Sequence, residues 1–200
     1  MNRALSFFTR QFERQIATRD YELNLFERRA LEHVRGRVLD LGCGLGNFSL
    51  AAARLGHEVK ALDACGRAVR ELNRRAAEEA LPVRAERSDL ANWGGESARF
   101  DVVVSIGLLM FFSRAQALRA LAGIQQATKP GGVAVVNLLV EGTTYMDMFE
   151  PGQHCLFARD ELLVRFAGWE VLDHRIDDVA KDSKLKRTAT LIARRRALEN

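Results

Sequence analysis

The chain has 200 residues, a formal net charge of +4 at pH 7 and a hydrophobic fraction of 48%. This length corresponds to roughly one domain of about 100–200 residues. The apolar fraction is large enough for a core, which excludes a disordered tail, a collagen-like fibre and a coiled coil. Three cysteines are too few for a disulfide scaffold. Because the most apolar stretch, residues 102–112, is too short to span a bilayer, we expect a single cytoplasmic domain in a reducing compartment.

The charge pattern narrows the class of partner. Charged residues interrupt every apolar run near the amino terminus, so no secretory signal is expected. Basic residues cluster in segments 67–75 and 181–196, but neither segment interleaves the aromatic residues that single-stranded nucleic-acid binding usually needs. CxxC and HxxxH pairs are missing, so no zinc site is predicted. We therefore expect a small-molecule partner, with no nucleic acid, membrane or metal, and both a monomer and a homodimer stay open.

Hydrophobic periodicity predicts the elements in chain order. The first 35 residues have apolar residues at spacings of three and four, which is typical of helix. Short apolar runs then predict strands at 37–41, 58–63, 83–87, 100–105, 133–140, 169–176 and 187–194. Amphipathic segments predict helices at 47–55, 67–80, 114–128 and 160–167, with a turn at 129–132.

The alternation of strands and helices through residue 140 predicts an α/β fold, with a parallel sheet covered by helices on both faces. The last two strands have the spacing of an antiparallel pair. We divide the single domain into a helical lid (1–36), a cofactor-binding core (37–140) and a substrate lid with a closing β-hairpin (141–200). Ligands of such sheets bind at the carboxyl ends of the strands, so the site is expected in the loops there.

A glycine-rich turn follows the first predicted strand, in the order Asp40, Gly42, Gly44, Gly46. Glycines let the backbone turn sharply and approach a ligand closely. The spacing departs from the nicotinamide-binding pattern G-x-G-x-x-G, because Asn47 stands where that pattern ends in glycine. A carboxylate at position 40 would repel a phosphate but attract a cation. S-adenosylmethionine carries a sulfonium and an ammonium and no phosphate, so the turn favours that cofactor.

Two further carboxylates follow the next two strands. Asp63 ends the second strand and can accept two hydrogen bonds from a ribose diol. Asp89 follows the third strand and can accept from an adenine amino group. Each carboxylate can instead cap a helix, so the prediction rests on the three together. The predicted cofactor-binding residues are Tyr21, Asp40, Gly42, Cys43, Gly44, Asn47, Asp63, Ala64, Ser88, Asp89, Leu90, Ser105 and Met110.

These motifs resemble those of class I S-adenosylmethionine-dependent methyltransferases, on VLDLGCGLGNFSL at 38–50, Asp63, Asp89 and KPGG at 129–132. Four more stretches are similar to the tellurite-resistance methyltransferases: DYEL at 20–23, LLMFF at 108–112, FARDEL with GW at 157–169, and ATLIAR at 189–194. The resemblance covers about residues 19–194. It implies a Rossmann-like, doubly wound, mostly parallel seven-stranded sheet whose final strand is antiparallel. It also implies S-adenosyl-L-methionine as cofactor and activity on tellurite or selenite.

The acceptor decides which catalytic groups are needed. A nucleophile with a free lone pair, such as a metalloid oxyanion, needs no general base, whereas a hydroxyl or a protonated amine does. We predict that Tyr21 positions the methionine end of the cofactor and that His154 is a base for an oxygen or nitrogen nucleophile. The alternatives are a core tyrosine and a surface histidine.

One departure from the tellurite-resistance family concerns the acceptor. The family carries a His-Arg pair between its last two strands, and segment 177–184 lacks it. Basic residues of the predicted hairpin can substitute for that pair electrostatically, namely Lys181, Lys184, Lys186 or Arg187. The acceptor is expected to be a tellurite- or selenite-like oxyanion. The alternatives are a small organic metabolite methylated on oxygen, nitrogen or sulfur, and a cofactor-binding regulator without turnover.

Overall fold

A computed structural model of the chain describes residues 3–95, 97, 99–149, 152–181 and 183–197. Within these ranges seven strands form one sheet in the order β3-β2-β1-β4-β5-β7-β6. The strands are β1 (Arg37–Leu41), β2 (Glu58–Asp63), β3 (Val83–Arg87), β4 (Phe100–Ile106), β5 (Thr128–Leu139), β6 (Glu170–Lys181) and β7 (Lys184–Arg194). The helices are α1 (Arg3–Thr18), α2 (Leu25–Leu31), α3 (Asn47–Arg54), α4 (Gly66–Glu78), α5 (Arg114–Ala127) and α6 (Glu161–Arg165), with a 3-10 turn at Leu109–Phe111.

Strand pairing confirms the predicted fold class. Strands β1 to β5 pair in parallel, with β1 between β2 and β4. Strand β7 is antiparallel to both β5 and β6. The order of the strands reverses between β1 and β4, which is the point where sheets of this kind bind their ligands.

The helix predicted over the first 35 residues is in fact two helices, joined by residues 19–24. The Asn24 side chain accepts hydrogen bonds from the Phe26 and Glu27 N–H groups, and the Glu27 carboxylate accepts one from the Asn24 N–H. Such a reciprocal cap starts a new helix. The break therefore comes from local hydrogen bonding, which the apolar periodicity does not report.

The predicted turn at 129–132 lies inside strand β5. Phe100 of β4 pairs with Thr128 and Val102 pairs with Val133, so residues 129–132 have no counterpart in β4. Gly131 has a φ of +76° there, a conformation that glycine adopts without strain. The turn chemistry is thus used for an irregularity within a strand rather than for a connection between two elements.

The closing hairpin is longer than the sequence predicts. Segment 177–186 carries many charges and reads as a loop, yet most of it belongs to β6 and β7. Asp178 lies opposite Arg187 across the two strands, and the Arg187 Nε donates to the Asp178 carboxylate at 2.7 Å. A cross-strand ion pair of this kind stabilises a solvated ribbon without apolar residues.

Two hydrophobic layers cover the faces of the sheet. Val102 and Val104 of β4 pack on the side of α2 and α3, and Val103 packs on the side of α5. All three side chains are fully buried. This two-sided burial is why β4 is apolar without alternation.

Gly123 of α5 is packed tightly against the segment that follows β3. A Cβ at Gly123 would lie 2.9 Å from both the Gly95 backbone nitrogen and the Trp93 ring. We expect Gly123→Ala to lower the free energy of unfolding by about 1–2 kcal/mol, because overpacking outweighs the gain in helix propensity. Chemical denaturation measures the change. The matched control is Gly94→Ala, where a Cβ meets nothing within 4 Å, and an equal loss in both variants would contradict the packing argument.

Candidate active site

A cleft of about 850 Å³ opens at the carboxyl ends of the parallel strands. Its walls come from the loops after four strands, at residues 42–45 and 47–48 after β1, 63–65 after β2, 89–91 after β3 and 106–108 after β4. Its remaining walls include one face of α1 and residues at the start of α5. The volume lies in the range of small-molecule and cofactor sites.

The glycine-rich turn is fixed by hydrogen bonds to β2. The Gly42 N–H donates to the Leu62 carbonyl at 2.8 Å, and the Gly44 N–H donates to the Asp63 carboxylate at 2.9 Å. Gly42 and Gly46 have φ values of +76° and +73°. At Gly46 a Cβ would also fall 2.3 Å from the Leu72 side chain of α4. The glycines are therefore needed both for the backbone conformation and for close packing under the turn.

Asp63 lines the cleft and also ties two of its loops together. One carboxylate oxygen accepts from the Gly44 N–H at 2.9 Å, and the other accepts from the Cys65 N–H at 2.7 Å. Burial raises the pKa of this carboxyl, and the backbone hydrogen bonds oppose that rise. Two carboxylate oxygens offer about four acceptor positions, so capacity is left for a ligand hydroxyl.

Asp40 is the most deeply buried carboxylate of the cleft, with 5% of its surface exposed. The Ser49 hydroxyl donates to it at 2.6 Å. Burial raises the pKa of Asp40 to about 7, against the effect of the Ser49 hydrogen bond. A buried carboxylate without a cation partner gains most from a ligand that brings a positive charge.

Asp89 lines the cleft and also closes the turn that follows β3. Its carboxylate accepts from the Ala91 N–H at 3.2 Å and from the Asn92 side-chain amide at 2.6 Å. Asp89 thus stabilises a turn and does not cap a helix, because β4 is the next element after β3, and its side chain remains exposed at the cleft.

Aromatic side chains of α1 cover the cleft. The rings of Phe8 and Phe12 stack with centroids 5.9 Å apart, and Phe8 meets Phe111 edge to face at 5.1 Å. Phe12 lies against the turn, because a Cβ at Gly44 would be 3.1 Å from its ring. The spacing of four residues between Phe8 and Phe12 marks the face of α1 that is buried, although it does not tell what that face covers.

Of the thirteen predicted cofactor-binding residues, nine belong to the cleft wall and four do not. The wall includes Asp40, Gly42, Cys43, Gly44, Asn47, Asp63, Ala64, Asp89 and Leu90. The side chains of Tyr21, Ser88, Ser105 and Met110 are not part of the wall.

The positions of these four residues have separate physical reasons. The Tyr21 hydroxyl donates to Glu71 of α4 at 2.9 Å, which draws the ring onto that helix. Ser105 and Met110 are buried, and the Ser105 hydroxyl has no hydrogen-bond partner within the described residues. The Ser88 N–H donates to the Asp63 carbonyl at 3.0 Å. Their cofactor-binding roles stay predictions.

His154 lies behind the cleft wall. Its ring packs on Phe149 with centroids 5.1 Å apart, and Phe149 packs on Phe111, which belongs to the wall. The His154 Nδ1 atom is buried and has no partner among the residues that the structure describes. Its neighbours Gly152 and Gln153 reach the cleft directly. The proposed role of His154 as a base stays a prediction.

Several cleft residues had no role in the sequence-based prediction. They carry amide, hydroxyl or carboxylate groups and are Gln11, Gln15, Glu22, Glu27, Ser113, Gln116 and Gln153. Ser113 and Gln116 form the capping box of α5, so the S-x-x-Q pattern locates the start of that helix at the cleft. For the glutamines of α1 the sequence offers only their helical spacing.

Negative charge dominates the cleft. Its lining holds five carboxylates, Glu22, Glu27, Asp40, Asp63 and Asp89, and among the described lining residues there is no lysine, arginine or histidine. Burial also raises the pKa of Glu27. Lys184, Lys186 and Arg187, considered as partners of an oxyanion, are not among these lining residues, and the side chain of Lys181 lies outside the described part. The cleft therefore favours a cationic ligand.

Metal-binding clusters and membrane-spanning helices are both absent from the described residues. Within that part of the chain, no group of three or more histidine, cysteine, aspartate or glutamate side chains is placed to hold a metal ion. No described helix has the length and apolar character needed to cross a membrane.

Comparison with known proteins agrees with the geometry. Residues 38–132 match the family described as "Methyltransferase domain". The fold, the glycine-rich turn and this match identify residues 38–132 as a domain of the class I S-adenosyl-L-methionine-dependent methyltransferases. The cofactor of the class is S-adenosyl-L-methionine. The cleft fits it, because it holds a buried carboxylate for a positive charge and spare acceptor positions for a diol.

Within the class, the chain is similar to TehB. It is 30% identical over 169 residues to "Probable S-adenosyl-L-methionine-dependent methyltransferase TehB" of Haemophilus influenzae (strain 10810), covering 80% of this chain and 57% of that protein. The crystal structure of TehB from Haemophilus influenzae aligns with a TM-score of 0.75 at 22% identity, covering 87% of this chain and 63% of that chain.

A second relative has a different name. The chain is 32% identical over 142 residues to "Hemagglutinin 1" of Eikenella corrodens, covering 69% of this chain and 45% of that protein. The chain thus spans about half the length of the curated relatives it matches.

The raised pKa of Asp40 makes stability depend on pH. The ordinary value is 3.8 and the folded value is about 7, so the folded protein binds the proton more tightly than the unfolded chain. Asp40 therefore contributes stability that is fully present below about pH 4 and is lost as the pH rises to about 7. We expect Asp40→Asn to flatten this slope, by at most about 1.4 kcal/mol per pH unit. Urea denaturation at pH 4.5, 5.5, 6.5 and 7.5 measures it, and parallel curves for both proteins would contradict the assignment.

Proposed function

We propose that the chain transfers the methyl group of S-adenosyl-L-methionine to a small molecule. The observation that carries the proposal is the meeting of three strand-end carboxylates, Asp40, Asp63 and Asp89, in one cleft beside the glycine-rich turn. In this assignment Asp40 faces the positive charge of the cofactor, Asp63 accepts from its ribose hydroxyls and Asp89 accepts from its adenine amino group.

Methyl transfer of this kind needs little covalent chemistry from the protein. The cofactor, when bound, supplies an electrophilic methyl group, and the protein aligns the acceptor with it and excludes water. Phe8 and Phe111 are suited to excluding water, because their rings meet over the cleft. The acceptor itself attacks the methyl carbon, so no side chain of the protein has to act as the nucleophile.

Two classes of acceptor fit different observations. The resemblance to the tellurite-resistance methyltransferases supports a tellurite- or selenite-like oxyanion. The lining supports an uncharged organic acceptor, because its described residues supply five carboxylates, several phenylalanines and no cation. An oxyanion would have to overcome that repulsion, so we propose the organic acceptor on physical grounds and keep the oxyanion as the second candidate. His154 is then the candidate base for a hydroxyl or amine nucleophile.

Binding of the cofactor is expected to release protons from Asp40. At pH 7 this carboxyl is partly protonated, and a bound cation lowers its pKa. Calorimetric titration with S-adenosyl-L-methionine in phosphate and in Tris at pH 7 measures the released fraction of a proton from the difference in heat. We expect Asp40→Asn to remove this release and to weaken binding by about 1–3 kcal/mol. Equal proton release by the unmodified protein and by Asp40→Asn would show that a group other than Asp40 contacts the positive charge of the cofactor.

A panel of acceptors separates the two classes. We expect formation of S-adenosyl-L-homocysteine with uncharged thiols or phenols, and slower formation with tellurite or selenite. Raising the ionic strength from about 10 mM to 150 mM screens surface charge over the Debye length, so the KM for an oxyanion should fall while that for a phenol stays constant. Preferred use of tellurite at low salt would instead establish the oxyanion. Cofactor binding without product from any acceptor would favour the regulator without turnover.

A further inference from the structure

Arg75 of α4 is a buried cation that lies outside the cleft wall. Only 8% of its surface is exposed, and the Arg75 Nη1 donates to the Leu45 carbonyl and to the Asn47 side-chain oxygen, both at 3.2 Å. Both acceptors belong to the connection from the glycine-rich turn into α3. The Arg75 guanidinium group therefore fixes the connection between β1 and α3 to helix α4.

The same guanidinium group also holds the connection between α1 and α2. The Arg75 Cζ lies 3.7 Å from the centroid of the Tyr21 ring, over its face. The Tyr21 hydroxyl donates to Glu71, one helical turn before Arg75. The Asn47 side-chain amide completes the link by donating to the Glu22 carbonyl at 3.3 Å. The turn and the connection at 19–24 are thus joined through Arg75 and Asn47.

Burial of this cation is costly and calls for a reason. Burial lowers the pKa of Arg75, and its described hydrogen-bond acceptors are a carbonyl and an amide oxygen rather than a carboxylate. The neighbouring Arg74 differs from Arg75 in its exposure and in its partners. It is exposed, and it forms ion pairs with Glu71 and Glu78 on the helix surface. These contacts need a planar guanidinium group, which donates hydrogen bonds in its plane and stacks its face on an aromatic ring. Lysine has no such group.

We propose that Arg75 is a positioning residue for the cofactor. It holds the glycine-rich turn and the α1–α2 connection in the arrangement that the cofactor binds, and it acts through Leu45, Asn47 and Tyr21 rather than by touching the ligand. This inference rests on the proposed function, because it concerns the same cleft.

Calorimetry with S-adenosyl-L-homocysteine as the probe tests the proposal. We expect Arg75→Lys to raise the dissociation constant about tenfold with an unchanged stoichiometry. A purely structural defect would lower the fraction of competent protein, and hence the stoichiometry, without changing the dissociation constant. The matched control is Arg70→Lys, which makes the same change at an exposed position of α4 and is expected to bind like the unmodified protein.

A second comparison shows whether the contacts act together. If Arg75 works partly through Asn47, the double variant Arg75→Lys with Asn47→Ala should lose less binding free energy than the sum of the losses of the two single variants. Additive losses would overturn the coupling. Should Arg75→Lys fail to fold, Tyr21→Leu removes the stacked ring and is expected to weaken binding about threefold at unchanged stoichiometry; unchanged binding would overturn the proposal.

The outcomes separate this proposal from the proposed function. If the unmodified protein binds neither S-adenosyl-L-homocysteine nor S-adenosyl-L-methionine, the proposed function fails. If it binds them and Arg75→Lys binds with the same dissociation constant, the positioning role alone fails.

Discussion

The arrangement of the cleft depends on the hydrogen bond from the Gly44 N–H to the Asp63 carboxylate. It joins the turn after β1 to the end of β2, and the second oxygen of the same carboxylate holds the start of α4 through the Cys65 N–H. Two connections, the turn after β1 and the β2–α4 connection, are thereby fixed to one side chain. Since burial works against the charge of Asp63, the backbone donors are what keep a carboxylate acceptable at this position.

The carboxylates of the cleft favour a positively charged ligand over a negatively charged one. The charge of Asp63 adds to the effect of burial in raising the pKa of Asp40, and the described lining holds no positive side chain to offset it. A site of this kind is completed by a positive charge from outside the chain. The same excess of negative charge is unfavourable for an anionic methyl acceptor. For this reason the resemblance to the tellurite-resistance methyltransferases and the chemistry of the cleft support different acceptors.

Much of the fold could be predicted from the sequence, because strands buried on both faces are short apolar runs with sharp ends. The bounds predicted for β1, β2 and β3 agree with the structure. The sequence-based predictions fail where long-range or polar contacts determine the local structure. Asn24 divides the first helix by capping, and Asp178 with Arg187 turns a charged segment into strand. Tyr21 leaves the cleft because Glu71 and Arg75 bind it, a contact between residues far apart in the chain.

The aromatic face of α1 forms one side of the cleft. Phe12 lies against Gly44, and Phe8 meets Phe111 edge to face. Moving α1 away from these partners would expose apolar rings to water, which is unfavourable. We therefore expect the residence time of a bound nucleoside to depend on the apolar contacts of this amphipathic helix.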